Sequence, residues 1–202
     1  MHSNVPPSAE VMPRRHLFDL KTAAALSAVG GALLGGSSGA DAARREGVNK
    51  PELLPTGDKV NVIDLAGFLT SGEERRLERL TKEMESATGI KLRILCQDYP
   101  QTPGLAIKDY WGVDDKTIVM VVDKSFSGNL LNFNVGGDPD LQLKLPYRFW
   151  QRIQNKYGNK YNVEQMGGED RVILKTATAI NYCLRSKDYC VDIPSDSELP
   201  KL

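Results

Sequence analysis

The run Trp111-Gly-Val-Asp-Asp-Lys-Thr-Ile-Val-Met-Val-Val-Asp123 decides the fold class. Thr117–Asp123 is a continuous apolar and β-branched segment, the pattern of a strand covered on both faces by helices. A polar turn, 124–129, leads to a second short strand, 130–135, which stops at Gly136-Gly137. Ahead of the buried strand, 90–97 alternates Ile90, Leu92, Ile94 and Cys96 against Lys91, Arg93 and Gln97. A Pro/Gly turn and a short helix through Ala106–Trp111 join the two. Strand, helix, strand in that order predicts parallel neighbours with a right-handed crossover. The short turn before 130–135 predicts an antiparallel return, so the sheet is mixed. The expected fold is α/β: an α/β/α sandwich with a small mixed central sheet flanked by helices.

Composition narrows the chemistry. With 202 residues, 41% of them hydrophobic, the chain builds one core of useful size. Lys plus Arg balances Asp plus Glu at 26 each, so no bulk charge favours nucleic acid. Both histidines, His2 and His16, lie near the N-terminus. Residues 1–42 read as an export signal: Arg14-Arg15, an apolar Ala/Gly run, then small residues ending Ala40-Asp41-Ala42. The paired arginines resemble a twin-arginine address. The apolar run falls short of the about 20 residues of a permanent membrane span. Cleavage after Ala42 removes both imidazoles. That excludes Ser-His and Cys-His dyads and histidine-containing zinc sites, and leaves oxygen donors.

The remaining divisions are a polar linker at 43–59, an α/β domain at 60–187 and an acidic tail at 188–202, expected to be mobile. Ser71 and Glu74 have the spacing of a capping box and open a helix with Leu77, Leu80 and Met84 on one stripe, ended by Gly89. Asp138-Pro-Asp140 reads as a turn, Pro146–Tyr157 as a helix, and Glu169–Ser186 as the last long helix. Cys96 reads as a core residue. Cys183 and Cys190 bracket a short loop that an oxidising compartment would close as a disulfide.

Three carboxylates stand out. Asp64, Asp114 and Asp115 come from two turns that could converge at one edge of the sheet, and oxygen-only ligands suit Ca²⁺ or Mg²⁺. Each also has a local reading, Asp64 as a cap on nearby backbone and Asp114-Asp115 as a turn before a strand. Asp123 lacks the second Asp two residues on that an aspartyl-nucleophile phosphatase wants; Ser125 stands there. Trp111, Tyr147, Phe149 and Trp150 belong either to the core or to a partner surface.

Several landmarks together resemble the TPM domain, a family of exported α/β/α proteins that includes thylakoid lumen proteins linked to photosystem II maintenance. They are Val62-Ile-Asp64-Leu-Ala66-Gly67-Phe-Leu69, the helix ending Thr88-Gly89, Tyr110-Trp111-Gly112, Asp115 ahead of the apolar strand, and Val135-Gly136. With its signal, the chain is similar to chloroplast members of the lumenal 15 kDa type. It departs from the family at Lys116-Thr117, where an Asn-Gly pair is usual, and at Gly136-Gly137-Asp138, where the second glycine is displaced. The resemblance implies the chloroplast thylakoid lumen, a protein partner in a photosynthetic membrane complex such as photosystem II, and an accessory role. It also implies an alternative, a low-activity divalent-metal-dependent acid phosphatase using the Asp cluster.

Overall fold

A computed structural model describes residues 49–200. Four strands form one sheet in the order β1 (Val62–Asp64), β2 (Lys91–Gln97), β3 (Thr117–Asp123) and β4 (Leu131–Val135). β1, β2 and β3 are parallel, and β4 returns antiparallel to β3. The helices are α1 (Ser71–Thr88), α2 (Ala106–Trp111), α3 (Pro139–Lys144), α4 (Tyr147–Ile153), α5 (Lys160–Met166) and α6 (Glu169–Arg185). The mixed sheet with helices on both faces is the expected architecture.

The main core lies on one face, where Leu92, Ile94, Cys96, Ile118, Met120 and Val122 meet Leu77 and Met84 of α1 and Val172, Ile173 and Ile180 of α6. β2 and β3 alternate, so their other side chains form a second, smaller cluster: Leu95 and Val119 with Ile63, Ile107 and Trp111. α2 ties the segment before β1 to this face. Trp111 Nε1 donates to the Val60 carbonyl (2.7 Å), and the Tyr110 hydroxyl accepts from Val60 N–H (3.2 Å). The polar side chains expected on that face of β2 are not simply solvated; Arg93 is only 8% exposed and reaches Glu85 of α1 at 3.0 Å.

Local structure departs from the sequence pattern at four places. The capping box sits one residue earlier than expected. Thr70, extended at φ −76° and ψ 156°, accepts from Glu73 N–H, and the Glu73 side chain accepts from Thr70 N–H. Thr-x-x-Glu and Ser-x-x-Glu overlap here, and the extended backbone falls at Thr70. Asp138-Pro-Asp140 opens α3 instead of making a free turn: Asp138 Oδ1 accepts from Leu141 N–H at 3.0 Å and Pro139 takes the first helical position. Pro146 caps α4 from outside, and the helix widens into a π turn at Gln154–Gly158.

The tail is held against the body. Ile193 and Leu199 pack on the main core, and Asp196 pairs with Lys156 (3.3 Å) and Lys175 (2.5 Å). Cys183 and Cys190 are joined as a disulfide with Cα atoms 5.6 Å apart, and Cys96 is a buried free thiol. Arg14, Arg15 and Ala42, the residues of the expected signal, lie outside the described residues. Among the described residues, no helix is long and apolar enough to cross a membrane.

Candidate functional site

The turn before β3 and the turn after β4 lie against each other, because antiparallel pairing brings the start of one strand beside the end of the other. Gly136 N–H donates to the Thr117 carbonyl (2.9 Å) and Asp138 N–H to the Asp115 carbonyl (3.0 Å). The approach is close enough to require glycine: a Cβ at Gly136 would stand 2.0 Å from the Asp115 carbonyl oxygen. A Cβ at Gly137 would lie 3.3 Å from Asp115 Oδ1.

Asp114 and Asp115 are neighbours with different employment. Asp114 Oδ1 accepts from the Thr117 hydroxyl (2.6 Å) and Lys116 N–H (3.1 Å), and Oδ2 meets Lys91 Nζ at 2.6 Å. Lys91 first, then Thr117, hold the Asp114 carboxyl down at about 2. The Asp115 carboxylate has no hydrogen bond or ion pair among the described residues. It is the one acid of this turn with free oxygens.

Asp64 does not join them. Asp64 lies level with Cys96, and Thr117 level with Lys91. Five residues of parallel strand separate those levels, about 16 Å along the sheet. Asp64 is at the C-terminal end of β1, while Asp114 and Asp115 precede the N-terminal end of β3, so the expected convergence at one edge does not occur. Parallel pairing of β1 is the reason. Nor is Asp64 available: Oδ1 accepts from Ala66 N–H (3.2 Å) and Gly67 N–H (2.9 Å), and Oδ2 from Leu69 N–H (2.7 Å). Among the described residues, no three His, Cys, Asp or Glu side chains gather as a metal set.

At the carboxyl ends of the parallel strands, where open α/β sheets commonly take ligands, several polar groups are bonded to one another. Asp123, 2% exposed, accepts from Gln97 Nε2 (2.8 Å) and from the Ser125 backbone and hydroxyl (2.7 and 2.5 Å). Lys124 pairs with Glu169 at 3.0 Å and lies over the Phe68 ring. Burial and then the Asp64 charge raise the Glu74 carboxyl above its ordinary value. Burial, then Asp64 and Glu74, push the Cys96 thiol well up. Of the aromatics, Trp111, Phe149 and Trp150 are buried, while Tyr147 is 76% exposed.

The TPM domain matches residues 62–165, which take in all four strands and both close turns. The chain belongs to the TPM domain family. A curated relative, "Thylakoid lumenal 15.0 kDa protein 2, chloroplastic" of Arabidopsis thaliana, is 49% identical over 166 residues, covering 81% of this chain and 71% of the relative. Its compartment, the chloroplast thylakoid lumen, is the one expected of this chain. Among solved structures, the N-terminal domain of a protein from P. gingivalis, determined by NMR in solution, superposes with a TM-score of 0.53 at 19% identity. That match covers 68% of this chain and 92% of the other, and it shows the fold alone.

Proposed function

We propose that this chain is a soluble accessory protein of the thylakoid lumen whose TPM domain works as a binding module on photosynthetic complexes, photosystem II among them. The observation that carries the reading is the separation of the acids. Asp64 is spent on backbone N–H groups, Asp114 on Lys91 and Thr117, and about 16 Å of sheet lies between them. A Ca²⁺ site wants six to eight oxygens, and these side chains do not assemble one. The test is co-migration of the exported protein with solubilised thylakoid complexes. Co-migration supports the module; free migration under every solubilisation condition overturns it.

One observation favours a second reading, metal-dependent phosphate-ester hydrolysis. Asp115 keeps both carboxylate oxygens free beside Gly137. Mg²⁺ is commonly held by one or two carboxylates, with water and substrate phosphate completing its shell, and a metal so held activates water and clamps phosphate oxygens. Asp115 would hold the ion, and Lys116 is the cation in the same turn. Calorimetry with Mg²⁺ and Ca²⁺, wild type against Asp115→Ala, decides it together with para-nitrophenyl phosphate turnover. Heat and turnover that vanish in Asp115→Ala and with chelator establish the enzyme; identical traces for both proteins remove it.

A further inference from the structure

We propose that the outer edge of β4 and the groove beside it receive an extended acidic peptide segment of a partner protein as an added strand. The proposal rests on the binding-module reading and names the surface and the chemistry of its partner. β4 ends the sheet order, with β3 as its one strand neighbour among the described residues. Gly136 N–H bonds to Thr117 and Asp123 N–H to Leu130. In the register between, Asn134 faces Val119 and Asn132 faces Val121. Bonding direction alternates along an antiparallel strand, so Asn132 and Asn134 turn their main-chain groups to β3, and Leu131, Phe133 and Val135 turn theirs outward.

Leu131 is already satisfied. Its N–H donates to Asn129 Oδ1 (2.9 Å) and its carbonyl accepts from Gln154 Nε2 (3.0 Å). The outward N–H and C=O groups of Phe133 and Val135 have no partner among the described residues. An edge of this kind is a template for one more strand. Beside it runs a groove of about 540 Å³ between β4 and α4, lined by the Phe133 and Trp150 rings, tilted against each other with centroids 4.9 Å apart, and by exposed Tyr147.

Charge selects the occupant. The groove continues past Gln151 and Gln154 into a second hollow of about 530 Å³ lined by Arg148 and Arg152. Among the described residues, no acidic side chain lines either hollow. Arg152 is matched by Asp192. Arg148 is exposed and has no hydrogen bond or ion pair among the described residues. An extended segment carrying Asp or Glu at the Arg148 end complements both backbone and charge.

The probe is a synthetic nine-residue peptide of alternating Val and Thr ending in two Asp, against the same peptide ending in two Lys. Each is titrated into the ¹⁵N-labelled full chain. The acidic peptide is expected to shift and protect the Phe133 and Val135 amides, to weaken about tenfold in Arg148→Glu, and to lose binding in Val135→Pro, which removes one outward N–H. Equal binding of both peptides, shifts confined to other elements, or concentration-dependent β4 protection without peptide (a second copy on this edge) would each overturn it. Co-migration with thylakoid complexes separates the two levels. Wild type and Arg148→Glu co-migrating alike, without peptide binding, removes the groove and keeps the module. Wild type that binds the acidic peptide but never co-migrates keeps the groove and removes the photosynthetic partner.

Discussion

Lys91 Nζ stands 2.6 Å from Asp114 Oδ2, tying the first residue of β2 to the turn that launches β3. Both strands begin at that end of the sheet, and Lys91 N–H also donates to the Lys116 carbonyl (2.9 Å). The pair brackets the turn from side chain and main chain together. It leaves Asp115, the next residue, without a cation of its own.

The pH dependence of this pair follows from its sign. An aspartate in an unfolded chain titrates near 4, and Asp114 in the fold at about 2. The ionised form is favoured by folding, so the contribution is complete above about pH 4 and lost as pH falls toward 2. The Asp114 side chain is 49% exposed, so solvent screening keeps the effect to roughly 0.5–1 kcal/mol. Lys91→Ala should move the Asp114 titration, followed by carboxyl NMR shifts, back toward the ordinary range. An unchanged titration in that variant would show that Lys91 does not set it.

Gly136 and Gly137 should respond very differently to the same substitution. In Gly136→Ala the new methyl meets the Asp115 backbone, and the two turns must separate at a cost of roughly 3 kcal/mol or more. In Gly137→Ala it meets only the end of the Asp115 side chain, which can swing away, so stability should change by about 0.5 kcal/mol or less. Urea unfolding of the two variants compares them directly. Equal losses would contradict the close backbone approach at Gly136.

Reduction of the Cys183–Cys190 disulfide should destabilise the protein by about 2–3 kcal/mol through the freed loop entropy. The Cys183→Ser/Cys190→Ser variant should match the reduced wild type in thermal unfolding and show no further response to reductant. Cys96, buried among Leu92, Ile94 and Met120, should resist thiol reagents until the chain unfolds. Rapid labelling of native protein at Cys96 would argue against that burial.

At the start of α1, Thr70→Ala should lower stability by about 1 kcal/mol, because it removes the cap on Glu73 N–H and the hydroxyl bond to Glu73 (2.7 Å). Ser71→Ala should be close to neutral or slightly stabilising, since Ser71 is already inside the helix. A reversed order would move the cap back to Ser71.

What the sequence determined by itself was local or periodic. The apolar run of β3, the alternation of β2 and the short turn before β4 were enough for their pairing directions, because crossover handedness and turn length act on neighbouring elements. Seven-residue spacing made Cys183 and Cys190 partners within reach. The tertiary structure alone decided the position of β1, three residues long and docked parallel at the sheet edge. That docking sends Asp64 to one end of the sheet and leaves Asp114 and Asp115 at the other. It alone decided that Asp138 would cap α3 and that the acidic tail would lie on Lys156 and Lys175. A side chain's type and spacing are written in the chain, but which distant groups use up its hydrogen bonds is settled only by long-range strand register and helix packing.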